Sequence, residues 1–352
     1  MTEKNQAFVI LTPGFAASEM DSSCLPMQQR FVRTLRELYP QLSIFILAFQ
    51  YPFREETYQW EKLTVMAFNG RNRGGIQRLL LQPRIFKSLN KINETHHIIG
   101  LLSFWYGECA LIGKRFAQKH GLHHLCWILG QDARNQNHYP SKLQLPAENL
   151  VALSDSLQEE FQRNHQIRPL HIIAPGIDAV DLNGNTYERD IDLLAVGSLI
   201  ELKQFEIFVE IVENLKNKFP KIKAVLAGKG PEREKLENLV KEKKLDNYLQ
   251  LTGELSYGEV LQLMKRSKIL LHPSSYEGFS GVCQEALASG AAVISFCRAM
   301  NHEIENWHIV SSKDEMTDKA VAILSGQPPS GKPVLPFSMN DTVKKMLAIY
   351  RF

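Results

Sequence analysis

The sequence has few cysteines, and no two of them have the spacing of a metal or redox site. The five are Cys24, Cys109, Cys126, Cys283 and Cys297. Zinc ribbons and redox motifs need cysteines separated by two residues, and disulfide frameworks use an even number of cysteines. The odd number and wide scatter here argue against these classes. We expect reduced thiols, as in a cytoplasmic protein.

Long hydrophobic runs are also missing. No segment reaches the roughly 18 consecutive apolar residues of a membrane-spanning helix. The opening residues, MTEKNQ, lack the features of a secretory signal. We therefore expect a soluble, cytoplasmic protein, with peripheral contact at the inner membrane surface as an open alternative.

An excess of charge of one sign is absent too. The chain has 41 lysines and arginines against 38 aspartates and glutamates, which gives a net charge of +3. So small an excess gives no general attraction to nucleic acid, and we expect no nucleic acid partner. The histidine pairs His96-His97 and His123-His124 are adjacent, so their side chains would face opposite ways on a strand. We expect no metal site.

What the sequence does contain is an alternation of short apolar segments with longer amphipathic ones. This alternation predicts parallel strands joined by helices that cover both faces of a sheet. We therefore predict an α/β protein with two Rossmann-like, doubly wound parallel-sheet domains. The predicted strands are residues 7–11, 42–49, 97–102, 125–129, 149–153 and 170–174 in the first half, and 193–196, 224–227, 248–251, 269–272 and 292–296 in the second. The predicted helices are residues 26–39, 106–119, 155–164, 203–217, 231–243, 256–265, 281–289 and 340–351.

A polar, turn-rich stretch from Gly176 to Asp192 separates the two halves and predicts an interdomain linker. A second break follows residue 325. We assign residues 1–176 to the first domain, 177–330 to the second, and 331–352 to a helix that crosses back onto the first. Doubly wound sheets bind ligands at the carboxyl ends of their strands, so we expect the site in a central cleft that the two domains face.

The most informative segment follows the predicted strand 269–272 and runs into a predicted helix. Its residues are Glu277, Gly278, Phe279, Ser280, Gly281, Val282, Cys283, Gln284 and Glu285. Unpaired N–H groups and the dipole at a helix start favour a phosphate. Glu277 and Glu285 can both face such a ligand and accept hydrogen bonds from sugar hydroxyls. The segment predicts a nucleotide-sugar site, with an ordinary strand-to-helix connection as the alternative.

Two further strand-turn-helix segments lead to the same predicted edge. Gly197 and Ser198 follow one strand, and Lys203 comes early in the next predicted helix, where it can neutralise a diphosphate. Gly228 and Gly230 follow the next strand and allow a ligand to approach the backbone closely. The alternative interpretations are that Lys203 is an ordinary surface lysine and that the turn with Gly228 and Gly230 is an ordinary strand-to-helix connection.

The first half has one comparable loop. Gly130, Gln131, Asp132 and Arg134 follow the predicted strand 125–129. Asp132 can accept hydrogen bonds from sugar hydroxyls, and Arg134 can bind a phosphate or carboxylate. Asp132 can equally well cap the next segment.

Together these segments resemble the retaining glycosyltransferases of family 4, which have the GT-B architecture. The resemblance covers nearly the whole chain, from Gly14 and Phe15 after the first strand to the segment Phe337 to Arg351. Its specific part is the carboxylate pair with seven intervening residues, followed by Ala-Leu-Ala-Ser-Gly.

The resemblance implies roles for these residues. Glu277 is expected to approach the hydroxyls of the transferred sugar, Glu285 to hold the ribose of the nucleotide, and Lys203 to contact the diphosphate. Gly14, Phe15 and the loop 130–134 are expected on the acceptor side, with Asp132 as a catalytic group. Such enzymes use no metal and no cofactor besides the nucleoside diphosphate sugar, so we expect none.

The chain departs from the family pattern at three places. Ser198 stands where many members have an arginine, so a second cation would have to come from elsewhere, such as Arg233 or Arg298. Leu129 stands where members often have a histidine. The double glycine common after the last strand is replaced by residues 297–303.

The resemblance implies transfer of a hexose-type sugar from a nucleoside diphosphate sugar to a hydroxyl of a saccharide or lipid-linked acceptor, without metal and with retention. A catalytically silent nucleotide-sugar-binding relative and a GT-B sugar-nucleotide epimerase are the alternatives. A dinucleotide-dependent oxidoreductase is disfavoured because no GxGxxG follows an early strand.

Two segments of the first half stay open to two interpretations. Residues 68–87 carry five basic residues among large apolar ones, and indicate either a solvated helix with one core face or contact with an anionic membrane surface. The aromatic run Phe104-Trp105-Tyr106 can stack on a sugar ring or pack in the core.

Overall fold

The computed structural model of the protein describes residues 4–21, 24–177, 188–326 and 331–351. The chain divides into two compact units, residues 1–176 with 339–352 and residues 177–338. Most of the predicted linker, from Asp178 to residue 187, lies outside the described residues, and so do residues 327–330 of the second predicted break.

The first unit contains an eight-stranded sheet. Its strands are β1 (Gln6–Gly14), β2 (Ser43–Tyr51), β3 (Glu55–Trp60), β4 (Leu63–Phe68), β5 (His97–Phe104), β6 (His124–Ile128), β7 (Leu150–Ala152) and β8 (His171–Ile172). They lie in the order β3-β4-β2-β1-β5-β6-β7-β8. Neighbouring strands are parallel, except that β3 and β4 form an antiparallel hairpin that the sequence did not predict.

Helices connect these strands and cover the sheet. They are α1 (Pro26–Leu38), α2 (Gly75–Thr95), α3 (Glu108–His120), α4 (Tyr139–Leu143) and α5 (Asp155–His165). The central strand β1 is buried from Ala7 to Leu11, with no exposed surface on any of these five residues. A continuous apolar run of this kind is expected for a parallel strand that is covered on both faces.

The second unit contains a six-stranded parallel sheet. Its strands are β9 (Ile191–Val196), β10 (Ala224–Ala227), β11 (Leu249–Gly253), β12 (Ser267–His272), β13 (Ala292–Ser295) and β14 (Trp307–Ile309). Their order is β11-β10-β9-β12-β13-β14, the doubly wound arrangement of a Rossmann-like domain. The helices are α6 (Phe205–Lys216), α7 (Arg233–Glu242), α8 (Tyr257–Arg266), α9 (Gly281–Ala288) and α10 (Lys313–Ser325).

Serine side chains fix the start of several helices. Ser154 accepts a hydrogen bond from an amide in the first turn of α5, and Ser280 and Ser312 do the same for α9 and α10. Ser256 and Glu259 form a reciprocal capping box at the start of α8. Such caps satisfy amide groups that have no partner within the helix.

The last helix, α11 (Met339–Ile349), belongs to the first unit. Thr342 Oγ1 donates to the carbonyl of Ala174 at 2.8 Å, and Tyr350 Oη donates to the carbonyl of Leu101 at 2.6 Å. The Tyr350 ring lies against the backbone of Gly100, where any Cβ atom would collide with it. The predicted return of the chain to the first domain is therefore observed.

The predicted fold class is confirmed, since both units are α/β with doubly wound, largely parallel sheets. The sequence missed the hairpin β3–β4, the short strand β14 and the helices α4 and α10, and it indicated helix α2 only as one of two interpretations of residues 68–87. None of the described helices is both long and apolar enough to cross a lipid bilayer.

Candidate functional site

The switch point of the second sheet lies between β9 and β12, where the order of strands along the sheet reverses. In open α/β sheets, ligands bind beside the carboxyl ends of the two strands at such a point. The carboxyl end of β9 leads into Gly197 and Lys203, and that of β12 leads into Glu277. The fold therefore brings together two of the segments that the sequence singled out.

Glu277 is the best-defined side chain of this site. Its Oε1 atom accepts a hydrogen bond from Lys203 Nζ and lies 3.0 Å from Nε2 of His272. Burial raises the pKa of Glu277, but the hydrogen bond from His272 and the charge of Lys203 outweigh it and lower the pKa to about 2. Glu277 is therefore an ionised, oriented carboxylate at neutral pH.

Lys203 lies just before the helix that it was predicted to begin. It ends a short 3₁₀ turn, Glu201–Lys203, and α6 begins only at Phe205. The carbonyl of Leu202 in this turn accepts hydrogen bonds from the amide and the hydroxyl of Ser275, at 2.9 and 3.1 Å. These bonds tie the loop after β9 to the loop after β12, and so fix Lys203 opposite Glu277.

His272 was not singled out by the sequence, although it is the last residue of β12. Only 1% of it is exposed, and its Nε2 also lies 3.5 Å from the hydroxyl of Ser280, the cap of α9. A histidine at the end of a buried strand is ordinary in sequence. Its contact with Glu277, five residues later, appears only in three dimensions.

Glu285 lies on the second turn of α9 and is 6% exposed. Gly278 and Ser280 are buried in the turn before this helix, while Phe279 is half-buried and packs edge-on against Trp307 and Phe337. Phe279 thus anchors the turn to the rest of the unit. The turn places Gly281 at the first position of the helix.

The glycines of the next two turns let the backbones pack against each other. A Cβ atom on Gly228 would lie 1.9 Å from the carbonyl oxygen of Gly197, and one on Gly230 would lie 2.3 Å from that of Leu199. Both positions have positive φ, which glycine adopts without strain. These glycines therefore have a structural role in addition to any contact with a ligand.

A small cavity of about 210 Å³ opens beside these turns, at the carboxyl ends of β9, β10 and β11. Gly197, Ser198 and Gly228 line it together with Lys229 and Glu254. Lys229 and Glu254 form an ion pair at 2.5 Å with both side chains largely exposed. The cavity belongs to the same edge of the sheet as Glu277.

Arg233 and Arg298, which could supply the cation that Ser198 lacks, both have other partners. Arg298 donates to the carbonyls of Met300 and Asn301, at 3.0 and 2.8 Å. Arg233 forms an ion pair with Glu237 at 2.8 Å on the same helix. In this conformation, both guanidinium groups stabilise local structure.

The sequence was expected to contain no HxH or DxD pair with the spacing of metal ligands, and this was wrong, because Asp190 and Asp192 form a DxD pair. It lies at the start of β9, the opposite end from Gly197. Asp190 forms an ion pair with Arg266 at 2.6 Å, and Asp192 forms one with Lys268 at 2.7 Å. Within the described ranges, no three histidine, cysteine, aspartate or glutamate side chains lie close enough together to hold a metal ion.

The first unit has its own cavity, of about 780 Å³, at the switch point between β1 and β5. Pro13 of β1 and Trp105, the residue after β5, both line it, as do Gln131, Asp132 and Arg134 of the predicted loop. Gly14, Phe15 and Gly130 are not among its lining residues. Phe15 is 1% exposed and packs edge-on against Trp60 in the core.

Asp132 is buried, with 5% of its surface exposed, and ties two loops together. Its Oδ2 atom accepts hydrogen bonds from the amides of Tyr106 and Leu129, at 2.8 and 2.9 Å. Burial raises the pKa of Asp132 to about 7, although both amide bonds act to lower it. Asp132 therefore caps the start of its own turn, and not the next segment as the alternative interpretation had it. A proton-transfer role is compatible with its pKa.

The comparisons with known proteins cover different parts of the chain. Residues 181–320 match the family model of glycosyl transferases group 1. The 2-deoxystreptamine N-acetyl-D-glucosaminyltransferase of Niallia circulans is 30% identical over 103 residues, which are 29% of this chain and 26% of that protein. The matched segments span between 23% and 31% of the first three curated relatives.

Solved structures match nearly the whole chain, at low identity. A glycosyltransferase from Rickettsia africae has a TM-score of 0.73 and 15% identity, and the match covers 99% of this chain and 98% of that one. The Anabaena protein HepE, solved in complex with UDP, has a TM-score of 0.69 and 12% identity, and coverage is 98% and 97%. At these identities the similarity shows the fold alone.

The two doubly wound units and these structural neighbours define a protein of the GT-B class. The part of the chain that matches the family model of glycosyl transferases group 1, residues 181–320, contains Lys203, Glu277 and Glu285.

Proposed function

We propose that this protein is a glycosyltransferase that moves a hexose-type sugar from a nucleoside diphosphate sugar to a hydroxyl acceptor, with retention of anomeric configuration and without a metal ion. The observation that carries the proposal is the pairing of Lys203 with Glu277 at the switch point of a group 1 domain. This arrangement provides a cation for a diphosphate and a fixed carboxylate for sugar hydroxyls.

In the proposed donor complex, Glu277 accepts hydrogen bonds from hydroxyls of the transferred sugar. A carboxylate offers about four lone-pair positions, and Lys203 and His272 use two of them. Because its pKa is about 2, Glu277 stays ionised throughout the physiological range. Glu285 holds the ribose, and the amides at the start of α9 face the diphosphate.

Lys203 stabilises the negative charge that grows on the leaving diphosphate as the glycosidic bond breaks. The leaving oxygen then takes the proton of the acceptor hydroxyl on the same face of the sugar, so that the new bond keeps the original anomeric configuration. Atoms and charges balance without another base. Asp132, with its pKa near 7, is the candidate to position or polarise the acceptor hydroxyl.

A catalytically silent relative is the second candidate, and specific contacts favour it. Ser198 supplies no charge, and Arg233 and Arg298 are engaged in their own loops or helix. Lys203 is itself neutralised by Glu277. If these contacts persist when a donor binds, the leaving group has little cationic stabilisation.

Turnover separates these candidates. The purified protein is incubated with UDP-, GDP- and ADP-sugars, with and without a panel of saccharide and lipid-linked acceptors, and release of the nucleoside diphosphate is followed. A transferase needs the acceptor, an epimerase converts the donor alone, and the silent relative does neither. UDP-sugars come first because HepE was solved with UDP.

Glu277→Gln should abolish transfer, while Glu234→Gln, an exposed glutamate on α7, should leave it unchanged. NMR of the product gives its anomeric configuration. An inverted product would contradict the retaining mechanism, and donor conversion without acceptor would favour the epimerase.

We further propose that the start of α2 contacts an anionic membrane surface when the acceptor is lipid-linked. Ile76, Leu79 and Leu80 are exposed by 75%, 64% and 64%, and the exposed Arg84 and Lys87 lie on the next turns. Apolar residues beside basic ones are the pattern of interfacial helices.

Flotation with vesicles that contain phosphatidylglycerol tests this contact. The wild type should float, and Leu79→Ser with Leu80→Ser should not. Leu170→Ser, which changes another leucine with 63% exposure, serves as the control. Equal flotation of neutral and anionic vesicles, or none at all, would contradict the proposal.

A further inference from the structure

Trp105, in the cavity of the first unit, has an unusual backbone conformation. It follows β5 directly and has a φ of 70°. Bulky side chains avoid this left-handed region, and such strain persists only where the surroundings enforce it. Here the amide of Trp105 donates to the carbonyl of Trp127 at 3.2 Å, and the amide of Tyr106 donates to Asp132.

The residues before and after Trp105 are fixed in the core and so maintain this backbone conformation. Phe104 and Tyr106 are completely buried, and the Tyr106 hydroxyl accepts a hydrogen bond from the amide of Leu145 at 2.9 Å. Of the three consecutive aromatic residues, only Trp105 is partly exposed. Trp105 and Tyr106 both line the cavity, but Trp105 alone of these three residues keeps exposed surface.

Glu108 lies in the wall of the same cavity, three residues further on. It is 7% exposed and begins α3. Its Oε2 atom accepts a hydrogen bond from Gln50 Nε2 at 2.9 Å. Its Oε1 atom forms an ion pair with Arg78 Nε at 3.4 Å, but this contact does not have the geometry of a hydrogen bond.

A buried carboxylate oxygen without a hydrogen bond is costly, because its hydration is lost and the ion pair with Arg78 replaces it only in part. Burial accordingly raises the pKa of Glu108, against the effects of Arg78 and Gln50. A hydroxyl group entering the cavity would supply the missing donor. The bond from Gln50 fixes the carboxyl group for that purpose.

The rest of the cavity fits a sugar. Its volume of about 780 Å³ is within the range of small-molecule sites. Its polar lining includes the amide side chains of Gln131 and Gln136, while the amide of Asn137 is bonded to the backbone of Tyr106, Asp132 and Tyr139. Amides can donate to and accept from hydroxyl groups, and aromatic faces pack against the C–H groups of a pyranose ring.

We propose that this cavity is a saccharide-binding site in which Trp105 stacks against a pyranose ring and Oε1 of Glu108 accepts a hydrogen bond from one of its hydroxyls. The inference rests on the proposed function, because it names the residues that would bind the acceptor sugar. The left-handed backbone then has a function, since it leaves Trp105 partly exposed beside the cavity while the side chains of Phe104 and Tyr106 stay buried.

Binding can be measured without any donor. The probes are methyl glycosides of glucose, galactose, mannose and N-acetylglucosamine, followed by saturation-transfer NMR and by protection of tryptophan fluorescence from iodide. The other three tryptophans, Trp60, Trp127 and Trp307, are buried, so iodide quenching reports mainly on Trp105.

At least one glycoside should bind and protect Trp105. Trp105→Asn should weaken its binding roughly tenfold, in line with the loss of one stacking contact, while Trp105→Phe should retain most of it. Asparagine tolerates the left-handed conformation, so this variant should still fold. Glu108→Gln should weaken binding a few-fold, and Phe53→Asn, which changes an exposed ring outside the cavity, should have no effect.

The outcomes distinguish this inference from the proposed function, because UDP binding is measured on the same samples. If no glycoside protects Trp105, or if Trp105→Asn binds the glycoside as well as the wild type does, the inference is overturned, and UDP binding to the same samples shows separately whether the donor function stands. If a glycoside binds and no UDP does, the saccharide site stands and the proposed donor function fails.

Discussion

His272 and Glu277 are in contact at the switch point of the second sheet, with 3.0 Å between Nε2 and Oε1. The carboxylate can only accept, so Nε2 of His272 is the donor. The same oxygen receives the ammonium group of Lys203. One carboxylate is therefore fixed from two directions, by a residue that follows β9 and a residue that ends β12.

The first prediction concerns this contact. His272→Ala removes one of the donors that lower the pKa of Glu277, so that pKa should rise from about 2 toward the ordinary range. His272→Gln should restore part of the shift, because its amide can donate a hydrogen bond. Carboxyl ¹³C NMR measures the titration.

His308→Ala serves as the control for this titration, because His308 is a half-buried histidine of the same unit that has no contact with Glu277. An unchanged pKa of Glu277 in His272→Ala would show that Lys203 alone determines its ionisation.

The second prediction concerns the pH dependence of stability. The pKa of Asp132 is raised from 3.8 to about 7, so the folded protein holds a proton that the unfolded chain releases. This contribution to stability is complete below about pH 4 and is lost as the pH rises to about 7. Asp132→Asn cannot titrate, so the difference in melting temperature between wild type and variant should change across this window and be constant above it.

Glu277 should act in the opposite direction at lower pH. Its pKa is depressed to about 2, so its contribution to stability is complete above the unfolded value of about 4.5 and is lost as the pH falls toward 2.

For Asp132, a difference in melting temperature between wild type and Asp132→Asn that is flat from pH 4 to 7 would contradict the raised pKa.

The third prediction concerns the glycine turns. Gly228→Ala would place a Cβ atom 1.9 Å from the carbonyl oxygen of Gly197, so β9 and β10 must separate at their carboxyl ends. We expect a loss of stability of about 2 kcal/mol and weaker nucleotide binding. Gly258→Ala has open space around the new Cβ atom and should stabilise α8 by about 0.5 kcal/mol. Equal melting temperatures for the two variants would refute the proposed packing role.

The fourth prediction concerns the attachment of α11 to the first unit. Tyr350→Phe removes the hydrogen bond to the Leu101 carbonyl, and Thr342→Val removes the one to the Ala174 carbonyl. Each should lower the free energy of unfolding by about 1 kcal/mol, since a buried carbonyl loses its partner. Chemical denaturation measures both. If neither variant is less stable than the wild type, these two hydrogen bonds do not attach α11 to the first unit.

The sequence predicted the local part of the fold well. The strand, turn and helix around Glu277 and Glu285 were anticipated because their signals lie within some twenty consecutive residues. Strand β3 of the hairpin was missed because it is polar and mostly exposed, and so lacks the apolar alternation of a half-buried strand, whereas β4 has that alternation and was overlooked. Helix α2 extends across Pro83, which local preferences place at a helix boundary.

The contacts of the candidate site were less accessible from the sequence. The contact between His272 and Glu277 and the bonds from Asp132 to Tyr106 and Leu129 join loops that follow different strands or turns. Lys203 was expected to be available for a diphosphate, and its pairing with Glu277 depends on two loops meeting. Such pairings follow from strand order, which no local pattern specifies.

Binding of nucleotide sugars tests the central claim most directly. Wild type, Lys203→Ala and Glu285→Ala are screened against UDP-, GDP- and ADP-sugars by thermal shift, with Lys221→Ala, an exposed lysine, as the control. The account predicts that at least one donor raises the melting temperature of the wild type and of Lys221→Ala, and raises that of the other two variants much less. A donor that stabilises all four proteins equally, or no stabilisation by any donor, would contradict a donor site at Lys203 and Glu285.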